Sequence, residues 1–349
     1  MTLDELLDAV RHGVQLQGLD CRGWDLRGLD LSGALWDRID FTGADFRGAD
    51  LSGGILSHCT MADCDFAGAK GEQLQLFRGR FERANFSGAL LEQAGFVESH
   101  LALARFDDAL LDRVTFFRCD LTEASLRTRR MAQATVTESN LARCDFTGAS
   151  LQSVTMFKLD LRSTVFAQFQ GDGVVFLECE LARQQFAGLV LPRCQFTDSR
   201  LDEVDFRQAT LTQSNFKGAS LRGARFGGAE ACMTIFAEAD LAGADCGAGR
   251  FDQSLWVDAT LEGVNFAQAR LPLAVFHRAR CRGASFAQAG LEDADFSYAD
   301  LTDADLVDAH FLRTRMHRAI QQGTRFSRRG GIIENDPDLH RAQSWSDAR

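Results

Sequence analysis

The sequence predicts a four-sided solenoid, a chain wound into a square coil whose every turn takes four five-residue sides. Three observations predict it. A large apolar residue or cysteine recurs at every fifth position from Leu16 to Phe326, and of these 63 positions only Gly71, Gly171, Ala231 and Gln321 depart. Two residues before each central position lies a small or apolar residue, most often alanine, as at Ala44, Ala49, Ala84, Ala89, Ala294, Ala299 and Ala304. From residue 96 onward the central residues tend to alternate Phe and Leu, so that Phe recurs every ten, as in Phe176, Leu181, Phe186, Leu191, Phe196.

An α-helix would smear a period of five around its surface, and a strand would alternate faces every two residues. A chain that turns after every five residues instead aims the central residue and the one two before it inward each time. A Phe period of ten with four sides places Phe on two opposite walls and Leu on the other two. Every cross-section then has nearly equal area, and Phe146, Phe166, Phe186, Phe206 and Phe226 form one stacked column.

The units Ala-Asp-Phe-Arg-Gly (44–48) and Ala-Asp-Leu-Thr-Asp (299–303) follow the pattern A(D/N)(L/F)xx. In this the chain resembles the pentapeptide-repeat family over about 310 of 349 residues. The resemblance implies an all-β fold, a right-handed quadrilateral β-helix. About 15 coils at ~4.8 Å would span roughly 70 to 75 Å. One coil buries too little to order itself, so stability must come from stacking.

The ends need covers. Thr2 and Glu5 have capping-box spacing, and Leu3, Leu6, Leu7 and Val10 share one helical face, which predicts a capping helix within residues 1–13. The solenoid is expected over 14–326. Residues 327–349 leave the pattern as a partly ordered polar tail, in which Ile332, Ile333 and Trp345 could dock.

Only three prolines occur (Pro192, Pro272, Pro337), and no apolar run approaches the roughly 20 residues that span a bilayer. The acidic N-terminus MTLDELLDAVRHG does not read as a signal peptide, so a cytoplasmic protein is expected. A net charge of −11 argues against direct binding of nucleic acid, and neither the charge nor the cap helix suggests a membrane surface.

Nine of ten cysteines fall on inward positions (Cys21, Cys59, Cys64, Cys119, Cys144, Cys179, Cys194, Cys246, Cys281), and no two are separated by one full turn. They read as small buried hydrophobes, with only Cys232 outward. The seven histidines form no ligand pattern, and glycines such as Gly43, Gly48 and Gly68 sit at turn positions rather than in a phosphate loop. No catalytic residue, cofactor or metal is expected. The aspartates just before central residues, such as Asp45 and Asp50, belong to the repeat and say little about partners.

One surface is not required by the repeat. On the wall carrying Trp36, Phe96, Phe116 and Phe176, the residues just after the central positions read Phe77, Val97, Phe117, Thr137, Phe157, Leu177, an outward apolar stripe. The next column alternates in sign: Arg78, Glu98, Arg118, Glu138, Lys158, Glu178. Thr115, Thr135 and Thr155 form a ladder on the same wall. Apolar surface rimmed by charge reads as a protein-docking face. The wall of Gly71, Gly171 and Ala231 is the least regular: Phe169 compensates Gly171, but Gly71 and Ala231 show no compensation. Arg129 and Gln184 are polar at inward slots, where local bulges are expected.

Two functions compete. The first is a non-enzymatic scaffold or adaptor for another protein or a second copy of itself. The resemblance adds bacterial secretion-effector handling as one version. The alternative, also from the resemblance, is duplex-DNA mimicry against a type II topoisomerase. Mixed charge, 38 basic against 49 acidic residues, matches mimicry poorly.

Overall fold

The structure is a computed structural model that describes residues 1–335 and 341. Pro337, His340 and Trp345 lie outside the described residues. The chain divides into two compact units, Met1–Glu180 and Leu181–Arg349. Each is a β-solenoid whose strands and bridges pair in parallel with the equivalent position one turn on, as Gln75 does with Gly95 and Ser220 with Asp240.

The first unit opens with helix α1 (Leu3–Arg11). Thr2 Oγ1 accepts from Glu5 N, and Thr2 N donates to Glu5 Oε2 at 2.8 Å, so both halves of the capping box form. Leu6 and Val10 are buried, while Leu3 and Leu7 are half-buried.

The coils hold each other through the backbone. Cys21 N donates to Asp40 O (2.7 Å) and Asp40 N to Leu19 O (2.9 Å), a pattern repeated along the unit. Each corner is normally a tight turn. Ala44 N donates back to Phe41 O at 2.8 Å, and Gly43 between them has φ +70°, as a type II turn demands. Inside, Phe46, Phe66, Phe86 and Phe106 stack with centroids 4.7, 4.7 and 4.9 Å apart. Phe96 on the facing wall meets Phe106 edge-on at 5.8 Å and 86°. Such offset and edge contacts add to area burial.

One wall of this unit differs. Leu16–Gln17, Leu35–Asp37, Ile55–Ser57, Gln75–Phe77, Gly95–Val97, Thr115–Phe117, Thr135–Thr137, Thr155–Phe157 and Val175–Leu177 form a nine-stranded parallel sheet. Most rungs elsewhere are single bridges. Runs such as Thr-Phe-Phe and Thr-Val-Thr favour extended backbone on both sides of the centre. The strand therefore runs past its central residue and opens the corner. The amide that would close it turns to the next coil: Gly79 N donates to Ser99 Oγ (3.3 Å) and Cys119 N to Ser139 Oγ (2.9 Å). Ser99 Oγ in turn donates to Leu76 O at 3.2 Å, so one hydroxyl serves both sides of an open corner.

The same slot adds a role for some of the cysteines. Nine are buried, as their inward positions predict, and several of these thiols also donate hydrogen bonds. Cys119 Sγ donates to Phe96 O (3.2 Å), Cys179 Sγ to Met156 O (3.4 Å) and Cys64 Sγ to Phe41 O (3.0 Å). At the open corners after Phe96 and Met156 the thiol takes the carbonyl that the serine hydroxyl takes after Leu76, whereas Phe41 O, at a closed corner, also accepts from Ala44 N. Burial pushes the Cys59 thiol up to about 11 and that of Cys64 up to about 12.

The irregular positions resolve individually. Arg129 is exposed, because Thr128 turns inward in its place, is 3% exposed, and leaves the left-handed conformation that its counterparts take. A buried guanidinium is thereby avoided. Gly71 has the compensation that its sequence surroundings do not suggest: Leu74 fills the slot, and an added Cβ would meet Leu91 Cδ2 at 2.9 Å. Phe169 is buried beside Gly171, as the volumes require, with its ring 5.1 Å from Phe166.

In the second unit Phe216, Phe236, Trp256, Phe276 and Phe296 form a column with rings within 7° of parallel. Phe186, Phe206 and Phe226 stack at 5.4 and 5.2 Å, as the alternation requires. Here the corner after Phe236 keeps its turn bond, Ala239 N to Phe236 O at 3.1 Å. Gln184 is buried, and its Oε1 accepts from Gln185 N. Ile332–Ile333, which the repeat pattern assigns to the tail, form a short strand on Thr314–Arg315.

The repeat aspartates have a local task. Asp20, Asp25 and Asp45 each accept the amide two residues on, an Asx-type clasp of the corner. Arg27 binds Asp25 at 2.6 Å and lies 3.6 Å from Asp45 one coil along, and Arg47 links Asp45 with Asp65 in the same way. Hydrogen bonds from Arg22 and Arg27 hold the carboxyls of Asp20 and Asp25 down to about 2. A carboxylate depressed in the folded state stabilises above its unfolded pKa of about 4 and loses that contribution as pH falls through the folded value. The carboxylate contribution to melting temperature, followed by circular dichroism, should be level above about pH 5 and fall between about pH 4 and pH 2. Ser99→Ala, which strands the Gly79 amide and the Leu76 carbonyl, should cost about 1–3 kcal/mol in urea unfolding, whereas Cys119→Ser should stay within about 0.5 kcal/mol.

Candidate protein-interaction surface

The nine-stranded sheet sets the geometry of the stripe. Its register aligns Phe77 with Val97, Val97 with Phe117, Phe117 with Thr137, Thr137 with Phe157, and Phe157 with Leu177. Because each strand continues one residue past its inward centre, that residue must point out of the sheet. All six are half-buried rather than fully exposed, which corrects the sequence reading. At Phe117 and Phe157 the residue that follows contributes to the cover. Arg118 lies over the Phe117 ring and Lys158 over the Phe157 ring, each 4.8 Å from the centroid. A cation held over an aromatic face is attracted by its quadrupole and shields it from water.

The charged column pairs two by two rather than as one continuous ladder. Arg78 binds Glu98 at 2.7 Å, Arg118 binds Glu138 at 2.8 Å, and Lys158 approaches Glu178 at 3.8 Å. Arg118 and Lys158 therefore each hold a ring below and a carboxylate on the coil beyond. The six residues of the column sit at left-handed corners with φ of 50 to 53°. The pairs are solvent-facing and add little to stability. Their effect is to fix where charge stands beside the rings. Thr115, Thr135 and Thr155 line up on the other side of the centre, so the wall reads threonine, buried centre, apolar stripe, charge.

Shallow depressions exist on another wall of the same unit. One of about 200 Å³ is lined by Leu90 and Leu110 together with Lys70, Glu72, Glu92 and Asp112. Arg113 bonds Glu92 beside it. Among the described residues no cluster of three or more His, Cys, Asp or Glu could hold a metal ion, and no helix is long and apolar enough to cross a membrane.

A second apolar surface is not singled out by the sequence reading. In the second unit Met233, Leu255 and Leu273 are 42%, 37% and 52% exposed, and Ile235, Val257 and Val275 between them are half-exposed. Ile235, Leu255 and Val275 pair in register on three successive coils. A signal exists: just before the central position, every twentieth residue reads Asn215, Ile235, Leu255, Val275, Asp295. Phenylalanines stand out off the centre, while aliphatic residues beside an inward column do not.

Thiol chemistry offers an independent check on which side chains face out. Native protein treated with a maleimide should label Cys232, the one half-exposed thiol among the ten, and the other nine only after unfolding, as counted by mass spectrometry.

A family model for pentapeptide repeats matches eight copies across residues 25–63, 130–168, 191–228, 257–293 and 294–328. No curated protein matches the sequence. Among solved structures, the chain is similar to HetL, a pentapeptide repeat protein involved in heterocyst differentiation regulation from the cyanobacterium Nostoc sp. strain PCC 7120. Identity is 19%, covering 96% of this chain and 98% of that one, with a TM-score of 0.21. It is also similar to full-length QnrB1, a plasmid-mediated fluoroquinolone resistance protein, at 15% identity over 74% of this chain and 93% of that one, TM-score 0.20. Rfr23, a pentapeptide repeat protein from the cyanobacterium Cyanothece 51142, is 17% identical over 45% of this chain and 91% of that one, TM-score 0.15.

Proposed function

We propose that this chain, which belongs to the pentapeptide-repeat family, is a non-enzymatic scaffold that docks another protein on the nine-stranded wall of its first unit. The observation that carries the reading is the aligned stripe Phe77, Val97, Phe117, Phe157 and Leu177, with its rings half open to solvent and cations poised over two of them. A folded wall needs no aromatic side chain on its outer face. Threonine at position 137 holds the same place in the ladder without one. Rings set between a threonine row and a row of paired charges have the anatomy of an interface, an apolar centre with a polar rim. Arg118 and Lys158 can swing off the rings at small cost, since they are more than half exposed, and expose further apolar area to a partner.

Duplex mimicry against a topoisomerase is the weaker reading. It calls for columns of uncompensated negative charge, whereas Arg27 and Arg47 each bridge the stacked carboxylates of Asp25, Asp45 and Asp65. Bridged carboxylates present alternating charge to an approaching surface rather than the uniform potential of a phosphate backbone.

Phe117→Asp and Phe157→Asp should leave the circular dichroism spectrum and melting temperature nearly unchanged, and should remove a partner that the wild-type protein retains in cross-linked pull-downs. Retention by both folded variants sinks the docking face. Inhibition of gyrase supercoiling by wild-type protein at low micromolar concentration, unaffected by either substitution, favours mimicry instead.

A further inference from the structure

The second unit presents the apolar patch of Met233, Ile235, Leu255, Val257, Leu273 and Val275, and the charges along one edge of it are arranged in halves. Reading that edge coil by coil at the left-handed corner gives Asp198, Gly218, Glu238, Asp258, Arg278, Tyr298, Arg318. The acidic residues occupy the earlier coils and the basic ones the later coils. We propose that this wall is a self-association face, on which a second copy of the chain packs antiparallel about a twofold axis that lies along the strand direction at the level of Leu255.

The geometry is that of two flat, ruled surfaces placed face to face with their coil order reversed. The operation keeps each column opposite itself and inverts the order of coils. Ile235 then faces Val275 of the other copy, Met233 faces Leu273, and Leu255 and Val257 face their own equivalents. All six apolar residues are thereby covered by apolar residues. Along the edge, Glu238 falls opposite Arg278, Asp198 opposite Arg318, and Gly218, beside which the Asp198 carboxylate lies, opposite Tyr298. Outside the apolar centre, Asn215 meets Asp295. The other twofold available to two facing walls, parallel to the direction of coil stacking, would lay the charged edge on the apolar one, Glu238 on Met233 and Arg278 on Leu273. The reversed order brings two like-charge meetings. Asp258 faces itself, but Arg278 already binds it with both oxygens, at 2.7 Å each. Arg193 faces Arg313 at the far rim, where Asp293 holds Arg313 at 2.6 Å.

The size of the surface fits a reversible dimer. Seven coils at ~4.8 Å and a wall of about five residues give on the order of 500 Å² per copy, about 1,000 Å² in total, at the lower bound of specific interfaces. The charge halves select the occupant: an unrelated partner would not require acid and base to be related by reversal about Leu255.

The test is sedimentation velocity on the full chain between about 1 and 100 μM, where an interface of this size should show its monomer–dimer transition. Wild-type protein should move from monomer to dimer across that range, and Leu255→Asp should remain monomeric at the top of it with an unchanged melting temperature. Glu238→Arg and Arg278→Glu should each lower the dimer fraction at least tenfold when alone, since each sets like charges against each other twice. Mixed in equal amounts they should form a heterodimer, because both Arg–Glu contacts return only between unlike copies. A wild-type chain that stays monomeric at the highest concentration overturns the proposal. So does a Leu255→Asp variant that still dimerises, or a mixture that associates no better than its components.

Discussion

Within each unit the coils take their backbone hydrogen bonds from the coils beside them, and the rest of the architecture follows from that one requirement. An amide such as that of Phe41 is satisfied on the next coil, at Thr60, rather than within its own segment. Pairing of this kind works only if each coil has the same length as its neighbour, and it forces side chains one full turn apart into vertical contact. The interior therefore cannot be packed as a jigsaw of unlike shapes. It is packed as columns of like shapes, Phe on Phe and Leu on Leu, with opposite walls exchanging edge-to-face contacts across the middle. Where a column loses volume, the compensation comes from a close neighbour in the same coil, as Leu74 does for Gly71 and Phe169 for Gly171.

The same constraint governs the outside. Outward side chains also stand in files, so a charge is always presented beside its counterpart one coil away. Like charges in file would repel. The chain meets this by placing arginine one residue after the central position, where it reaches its own aspartate and the next, or by alternating sign along the file. The first device lets the repeat keep the aspartate that clasps each corner, and the second steadies the rim of the aromatic stripe. Corner chemistry and surface electrostatics are thus two results of one spacing.

Much of this can be read from the amino acids. The period of five, the period of ten in phenylalanine and the capping box at Thr2 each translate into geometry without reference to anything distant, and the coil, its columns and its helix follow. The details that cannot be read depend on conformations that a repeat pattern does not encode. Whether a corner is closed or open is decided by the residues on both sides of the centre, and its consequence, that Ser99 and Cys119 supply hydrogen bonds instead of bulk, emerges only when the next coil is in place. Counting along the pattern puts Arg129 inside; the chain avoids this by turning Thr128 in, a local rotation that leaves the count intact. The stripe is conspicuous in the sequence because aromatic rings are, but its partial cover by Arg118 and Lys158 depends on where two flexible side chains lie, which the repeat pattern does not encode.

The five-residue step within a four-step turn has an evolutionary corollary. Duplication or loss of a single pentapeptide would leave every inward position inward, since the core requires only that the step be five. All side chains beyond that point would nevertheless be turned by a quarter revolution and presented on the adjoining wall. Gain or loss of a whole turn would lengthen or shorten a face without moving it. A lineage of such chains can therefore reassign which residues share a face by one small insertion, at almost no expense to the interior.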